Sequence, residues 1–204
     1  MAREKERIVY ALADLCKKHQ VGFLIQIGAE DGYEADCIGN ITGCRVLAVE
    51  GDSQCSPCNP DLEYHHSLIG ATNCVMPFYC HKEPGLSSQI NRKSVGGHKD
   101  KETLVHLQQH RLDTFCSMND LMPDALIIDT EGTTLDVLEG CGDLLENVKL
   151  IYAECQSYPI RPGIRPVSEV KKFLEIRGFQ EHKELPSYCN GPDDSQGNYT
   201  WIRG

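Results

Sequence analysis

Four short apolar runs dominate the hydrophobic pattern of the chain. They are Phe23–Ile27, Val46–Val49, Ala125–Ile128 and Leu150–Ala153. Each run is nearly continuous, as expected of a parallel strand that is buried on both faces of a sheet. The pattern therefore predicts four central strands of one parallel sheet.

Helical patterns lie before and between these runs. Residues 2–19 have apolar side chains at helical spacing, which predicts an amphipathic helix. Tyr33–Thr42 and Thr133–Leu145 predict helices that connect the first and the last pair of strands, and this order is typical of βαβ units. Val167–Ile176 predicts a further helix, which ends before Gly178.

The rest of the pattern is weaker and fits a single α/β domain over residues 1–204. Residues 82–103 are polar and contain three glycines, so they predict a long loop. Further strands are predicted at Tyr64–Leu68, Val75–Tyr79, Phe179–Lys183 and Tyr199–Ile202.

The chain is acidic, with a formal net charge of −10 and no basic run longer than a pair. Non-specific affinity for nucleic acids comes from cationic side chains, so we expect no nucleic-acid partner. No apolar run approaches the ~20 residues of a membrane span, so we expect no membrane partner. No secretion segment is visible, and we expect a cytoplasmic protein whose eleven cysteines are mostly free thiols.

Acidic residues follow the predicted central strands. Glu50, Asp129 and Glu154 each come directly after an apolar run, and Glu30 and Asp31 follow the first one. In open parallel sheets, ligands bind in the crevice beyond the carboxyl ends of the strands. We therefore expect these carboxylates to line a ligand site.

The spacing of these residues indicates a nucleoside ligand. Glu50 lies 22 residues after Gly28, close to the ~20-residue interval at which an acid meets ribose hydroxyls. Gly28 and Gly32 allow backbone to approach a ligand closely. The phosphate-binding pattern Gly-x-Gly-x-x-Gly is absent, and acids stand where phosphates would lie. A cationic nucleoside, S-adenosylmethionine, fits this acidic edge.

Several stretches together resemble the FkbM family of class I methyltransferases over about residues 22–180. The similar stretches are Ile25–Gly32, Arg111–Cys116, Leu126–Gly132, Leu135–Gly140 and Ile151–Glu154. The resemblance implies a Rossmann-like, mostly parallel, seven-stranded sheet flanked by helices. It also implies O-methylation of a hydroxyl on a small molecule or sugar, with S-adenosylmethionine as the donor.

Within the domain, we expect about residues 20–80 to form a donor-binding half and about residues 81–204 an acceptor and catalytic half. The resemblance adds expected contacts with the donor. It implies donor contacts from the first motif and from the end of the second strand, where Glu50 holds the ribose. Gln26 departs from the family, which usually has an acid there, and Glu30 or Asp31 is expected to supply the charge. The expected donor-binding residues are Gln26, Gly28, Ala29, Glu30, Gly32, Glu50 and Gly51.

Methyl transfer to an alcohol needs in-line alignment, and a general base assists it. We predict Asp129 as the base or acceptor-orienting group, with Glu131 as the second choice. The structural alternatives are that Asp129 caps a helix or holds the donor, and that Glu131 is a solvated helix start. Acceptor contacts are predicted from Ser87, Ser88, Asn91 and Glu154.

Metal binding is an alternative at two places, and we assign no metal ligand. Cys55 and Cys58 have zinc-ligand spacing but lack a second close pair, so free thiols are favoured. Asp129, Glu131 and Glu154 are also a set that magnesium accepts.

Two other classes of function stay open. The first is a non-catalytic nucleoside-binding module of the same fold, which the departure at Gln26 supports. The second is a NAD-dependent dehydrogenase, against which the Glu30–Asp31 pair argues because a pyrophosphate needs a site without negative charge.

Overall fold

The computed structural model describes residues 2–82, 86–90, 102–159, 162–182 and 196–204. Helices α1 to α5 span Ala2–Lys18, Tyr33–Thr42, Leu112–Met118, Thr134–Gly140 and Val167–Glu175, and a 3₁₀ helix spans Gly142–Asn147. Strands β1 to β10 span Phe23–Ile27, Arg45–Glu50, Tyr64–His66, Leu68–Gly70, Cys74–His81, Glu102–Arg111, Ala125–Ile128, Leu150–Gln156, Phe179–Glu181 and Gln196–Arg203. Within these ranges, no helix is both long and apolar enough to cross a membrane.

Seven strands form the main sheet in the order β3-β2-β1-β7-β8-β10-β9. The pairs from β3 through β8 are parallel, whereas β10 is antiparallel to both of its neighbours. Strand β1 is central, with Ile25 opposite Leu47 of β2 and Leu126 of β7. The mostly parallel seven-stranded sheet predicted from the sequence is therefore confirmed.

The two faces of the sheet bury alternate residues of the same strands. Ile25 belongs to a large core shared with the helices that follow β6 and β7, such as Leu138 of α4. Its neighbour Leu24 faces the opposite way and packs with Leu12 of α1 and Ile38 of α2. Helices on both sides explain why the central strands are apolar along their whole length.

A second sheet, in the order β4-β6-β5, lies beside the main one. It corrects two predictions. The strand predicted at Tyr64–Leu68 is two strands in different sheets, β3 and β4, which separate at Ser67. The loop predicted over residues 82–103 ends in β6, which pairs with β5 along its length. The sequence signal of β6 is weak because few of its described side chains are buried.

The helix predicted at Thr133–Leu145 is also wrong in its length. Helix α4 ends at Gly140, and the chain continues as the 3₁₀ helix. Gly142 has a φ of 50°, a left-handed conformation that a right-handed helix does not contain. Gly140 packs so closely against the backbone that a Cβ there would lie 2.1 Å from the carbonyl oxygen of Gly70. Tertiary packing thus ends the helix within an apolar pattern.

Candidate active site

A crevice lies beyond the carboxyl ends of β1, β2 and β7, where the second sheet faces the main one. Its polar lining comes from the turns after these strands and from residues 87–89. The lining residues include Gly28, Glu30, Glu50, Gly51, Asp52, Cys55, Leu68, Phe78, Ser87, Ser88, Gln89, Asp129, Thr130 and Glu131. This position is the one at which open parallel sheets bind their ligands.

The turn after β1 brings backbone against the end of β7. Gly28 has a φ of 73°, and a Cβ at this position would lie 1.8 Å from the carbonyl oxygen of Asp129. Glu30 has a φ of 52°, which is strained for a residue with a side chain. Tyr64 fixes this conformation, because its hydroxyl donates to the Glu30 carbonyl oxygen at 2.5 Å. Burial raises the pKa of Tyr64, which keeps the phenol protonated as a donor.

Glu50 ends β2 as a buried carboxylate that is held by backbone donors. Its Oε2 accepts from the amide of Glu30 at 2.9 Å, and its Oε1 accepts from the amide of Asp52 at 2.7 Å. Burial raises the pKa of Glu50 despite these hydrogen bonds. The contacts fix the orientation of the carboxylate at the edge of the crevice.

The turn after β7 presents two further acids to the crevice. Asp129 is exposed and Glu131 is half-buried, with a φ of 52°. Gly132 follows with a φ of 105°. A Cβ at this position would lie 3.0 Å from the side chain of Ile164 and 3.1 Å from that of Ile90. Strain of this kind clusters at functional sites, where the surroundings hold it.

Glu154, which lies two residues before the end of β8, completes a cluster of three carboxylates. One oxygen from each of Asp129, Glu131 and Glu154 lies within 4.8 Å of the other two. Glu154 is buried, and its Oε2 accepts from Nε2 of Gln196 at 2.7 Å. Three carboxylates this close together concentrate negative charge at the end of the sheet, which favours a cationic ligand.

Comparison with known proteins identifies the family. Residues 26–183 match the sequence profile of the methyltransferase FkbM domain. The chain belongs to the FkbM methyltransferase family. The recognition from sequence and the assignment as an S-adenosylmethionine-dependent methyltransferase are thereby confirmed. Among curated proteins, no significant sequence match was found.

Solved structures place the FkbM chain in a fold class. Magnesium protoporphyrin IX methyltransferase from Synechocystis is 8% identical, with a TM-score of 0.51 over 99% of this chain and 81% of that chain. The O-methyltransferase TomG from Streptomyces achromogenes is 12% identical, with a TM-score of 0.51 over 100% and 80%. A ribosomal RNA methyltransferase from Plasmodium falciparum is 8% identical, with a TM-score of 0.50 over 97% and 96%. At these identities the likeness shows the fold alone, and it confirms the class I, Rossmann-like prediction.

Three of the predicted donor residues lie beside the crevice of the FkbM chain rather than in its lining. Gln26 is 3% exposed, and its side chain binds the start of α2. Ala29 is buried against Ala48 and Leu62. Gly32 precedes α2 with a φ of 74°. These residues shape the turn that Gly28 and Glu30 present to the crevice, and the side chains of Gln26 and Ala29 contact other parts of the protein.

The two serines predicted to bind the acceptor do line the crevice, but their hydroxyls also bind protein groups. Ser87 Oγ donates to Asp52 Oδ2 at 2.5 Å, and Ser88 Oγ donates to the carbonyl oxygen of Glu131 at 3.1 Å. The third predicted residue, Asn91, lies outside the described residues. Glu154, the fourth predicted residue, lies in the cluster with Asp129 and Glu131 but is not among the lining residues of the crevice. Acceptor contacts by all four stay a prediction.

Sequence reasoning missed Asp52, which is 3% exposed and lines the crevice beside Glu50. Its position two residues after the end of a predicted strand is a signal that could have found it. It also missed the apolar wall of Leu68 and Phe78, since these residues belong to the second sheet. No local sequence pattern predicts that this sheet packs against the carboxyl ends of β1 and β2.

The cysteines of the described part of the chain are free. Cys55 lines the crevice and Cys58 is exposed. Within the described ranges, the three carboxylates are the one group of potential ligands close enough together to hold a metal ion. The geometry of these residues therefore gives the zinc alternative at Cys55 and Cys58 no support.

Proposed function

We propose that this FkbM methyltransferase transfers the methyl group of S-adenosylmethionine to a hydroxyl of a small molecule or sugar. One observation carries the proposal: the crevice is lined by several carboxylates and, among its described lining residues, by no lysine, arginine or histidine. The carboxylates are those of Glu30, Glu50, Asp52, Asp129 and Glu131. Such a site favours a donor that carries a sulfonium and an ammonium group.

The donor binds at the ends of β1 and β2 in this proposal. The carboxylate of Glu50 accepts the ribose hydroxyls, since its two oxygens are already oriented by the amides of Glu30 and Asp52. The turn at Gly28 lets the donor approach the backbone beside Asp129. The methyl group then points toward the acids that follow β7.

Asp129 acts as the general base. The acceptor oxygen attacks the methyl carbon in line with the sulfur, the carbon–sulfur bond breaks, and S-adenosylhomocysteine leaves. The hydroxyl proton passes to the carboxylate of Asp129, which is exposed to the crevice. Glu131 and Glu154 each place a carboxylate oxygen within 4.8 Å of one from Asp129, so the base belongs to a compact acidic cluster.

A magnesium-assisted version is the second candidate, and the same three carboxylates favour it. In that version Asp129, Glu131 and Glu154 would hold the cation, which would supply Lewis-acid activation of the acceptor hydroxyl. A nucleic-acid acceptor is disfavoured because its phosphates would be repelled by the carboxylates of the crevice and by the net charge of −10. The same repulsion disfavours NAD. A cytoplasmic location stays a prediction.

Calorimetric titration with S-adenosylmethionine, S-adenosylhomocysteine and NAD tests the donor site. We expect both adenosyl ligands to bind, NAD to give no heat, and Glu50→Gln to weaken binding at least tenfold. The exposed Glu146→Gln serves as the control. Binding of NAD, or full adenosyl binding by Glu50→Gln, would contradict the donor assignment.

Turnover is tested with a panel of sugars and small alcohols by release of S-adenosylhomocysteine. Asp129→Asn should reduce kcat about 10²-fold or more and leave donor affinity within about threefold. Activity that chelation abolishes and magnesium restores would favour the metal-assisted version. Donor binding without turnover of any hydroxyl compound would favour the non-catalytic module.

A further inference from the structure

Residues 87–89 connect the two sides of the crevice. Ser87 Oγ donates to Asp52 on the donor side and accepts from the amide of His81. Ser88 Oγ donates to the carbonyl oxygen of Glu131 on the catalytic side. The backbone of Ser88 also exchanges two hydrogen bonds with Tyr79 of β5. This short segment, Ser87–Gln89, therefore joins the donor edge to the turn after β7.

Asp52 has two separate attachments. Its amide donates to Oε1 of Glu50 at 2.7 Å, and its carboxylate accepts from Ser87 through Oδ2. The other carboxylate oxygen, Oδ1, accepts from the amide of Gln54 at 2.9 Å. A change in the orientation of Glu50 must act on the backbone of Asp52 and, through its side chain, on Ser87.

The burial of these groups makes the connection stiff. Asp52 is 3% exposed, Glu50 is 8% exposed and Ser88 is 2% exposed. Close packing leaves such groups few alternative arrangements, and a buried carboxylate that loses a hydrogen bond is strongly disfavoured. If the Ser87–Gln89 segment moved away, the buried carboxylate of Asp52 would lose its hydrogen bond from the Ser87 hydroxyl. This loss disfavours movement of the segment.

We propose that Asp52 is a positioning residue that couples donor binding at Glu50 to the placement of the Ser87–Gln89 segment on the acceptor side. This inference rests on the proposed donor site. Ribose hydroxyls at Glu50 hold the carboxylate in the orientation that its bonds to Glu30 and Asp52 require. Asp52 then holds Ser87, and the segment completes the acceptor wall beside Glu131.

Hydrogen exchange with and without S-adenosylhomocysteine tests the coupling without a known acceptor. The reporters are the amides of Ser88 and Ile90, which bond to the Tyr79 carbonyl oxygen and to Ser88 Oγ. In the unmodified protein and in the exposed Ser53→Ala control, the ligand should slow their exchange about fivefold. In Ser87→Ala the ligand should bind within about threefold of normal and leave their exchange unchanged. Ser87→Thr, which keeps the hydroxyl, should restore the effect.

The outcomes separate the coupling from the proposed function. If S-adenosylhomocysteine does not bind the unmodified protein, the proposed donor site fails. If it binds and the two amides exchange as before, the coupling is overturned even when the variants do not fold. Equal slowing in Ser87→Ala also overturns it, as does a loss of donor affinity above tenfold, because Ser87 would then serve the donor site itself.

Discussion

The side-chain amide of Gln26 joins strand β1 to the carboxylate of Glu34. Nε2 of Gln26 donates to Oε2 of Glu34 at 3.2 Å, and its Oε1 accepts from the amide of Ala35 at 3.0 Å. Gln26 is buried at this place, so both bonds lie within the fold. The acid that the family usually has here would meet the carboxylate of Glu34, whereas the amide binds it. An amide rather than an acid at position 26 is therefore compatible with the carboxylate of Glu34 on α2.

Gln26→Glu should therefore destabilise the protein at pH 7 by about 1–2 kcal/mol, because two carboxylates would face each other where one hydrogen bond stood. Urea unfolding measures the change. The matched control is the double variant Gln26→Glu with Glu34→Gln, which exchanges the two groups and should recover most of the loss. A double variant no more stable than Gln26→Glu alone would show that the contact does not matter.

Gly28→Ala should destabilise the fold by about 3 kcal/mol or more and abolish donor binding, because strain at positive φ adds to a clash with backbone. The added Cβ would lie 1.8 Å from the Asp129 carbonyl oxygen. Gly43 is the control, since its φ of 75° is similar and nothing lies within 4 Å of its Cβ position. Gly43→Ala should cost about 1 kcal/mol. Thermal unfolding compares the two variants, and equal losses would contradict the close approach.

Donor affinity should fall with pH as Glu50 gains a proton. Burial raises the pKa of Glu50, so the ionised form that accepts ribose hydroxyls is lost at a higher pH than for an exposed glutamate. The affinity for S-adenosylhomocysteine should be constant above this pKa and fall by up to about tenfold per pH unit below it. Calorimetry over pH 4–8 measures the profile. Glu50→Gln should bind more weakly without this dependence; an unchanged profile would assign the titration to another acid.

Asp124 should stabilise the fold most at neutral pH. Burial disfavours its charge, but hydrogen bonds from the amides of Phe23 and Gly22 and an ion pair with Lys149 outweigh this, so its pKa lies below the ordinary value. A depressed pKa gives stability that is full above the unfolded value of about 3.9 and is lost as the pH falls through the folded value.

Asp124→Asn should therefore cost about 2 kcal/mol at pH 7, where charged hydrogen bonds are lost, and progressively less below about pH 4. Chemical unfolding at several pH values measures this difference. The exposed Asp14→Asn serves as the control and should cost less than about 0.5 kcal/mol. A loss that stays constant down to pH 2 would exclude the ionised carboxylate as its source.

The sequence alone identified the central strands and the acids at their carboxyl ends. Runs such as Phe23–Ile27 are buried on both faces, and such burial leaves a continuous apolar signal in the chain. Because parallel strands share one carboxyl edge, the acids that follow them were predicted to converge, and Glu50 and Asp129 line one crevice. Local hydrophobic patterns were sufficient to predict the strands, and parallel topology was sufficient to predict that Glu50 and Asp129 lie at one edge of the sheet.

Tertiary structure alone decided which partners these residues have. Strand β6 was missed because it buries few of its described side chains, although it is the middle strand of the second sheet. Gln26 lies in an apolar run that the sequence identified as a strand, yet its partner Glu34 depends on the packing of α2 on β1. The bond from Ser87 to Asp52 joins residues 35 apart in the chain. Such contacts follow from how the second sheet packs on the first, and no periodicity in the sequence encodes that arrangement.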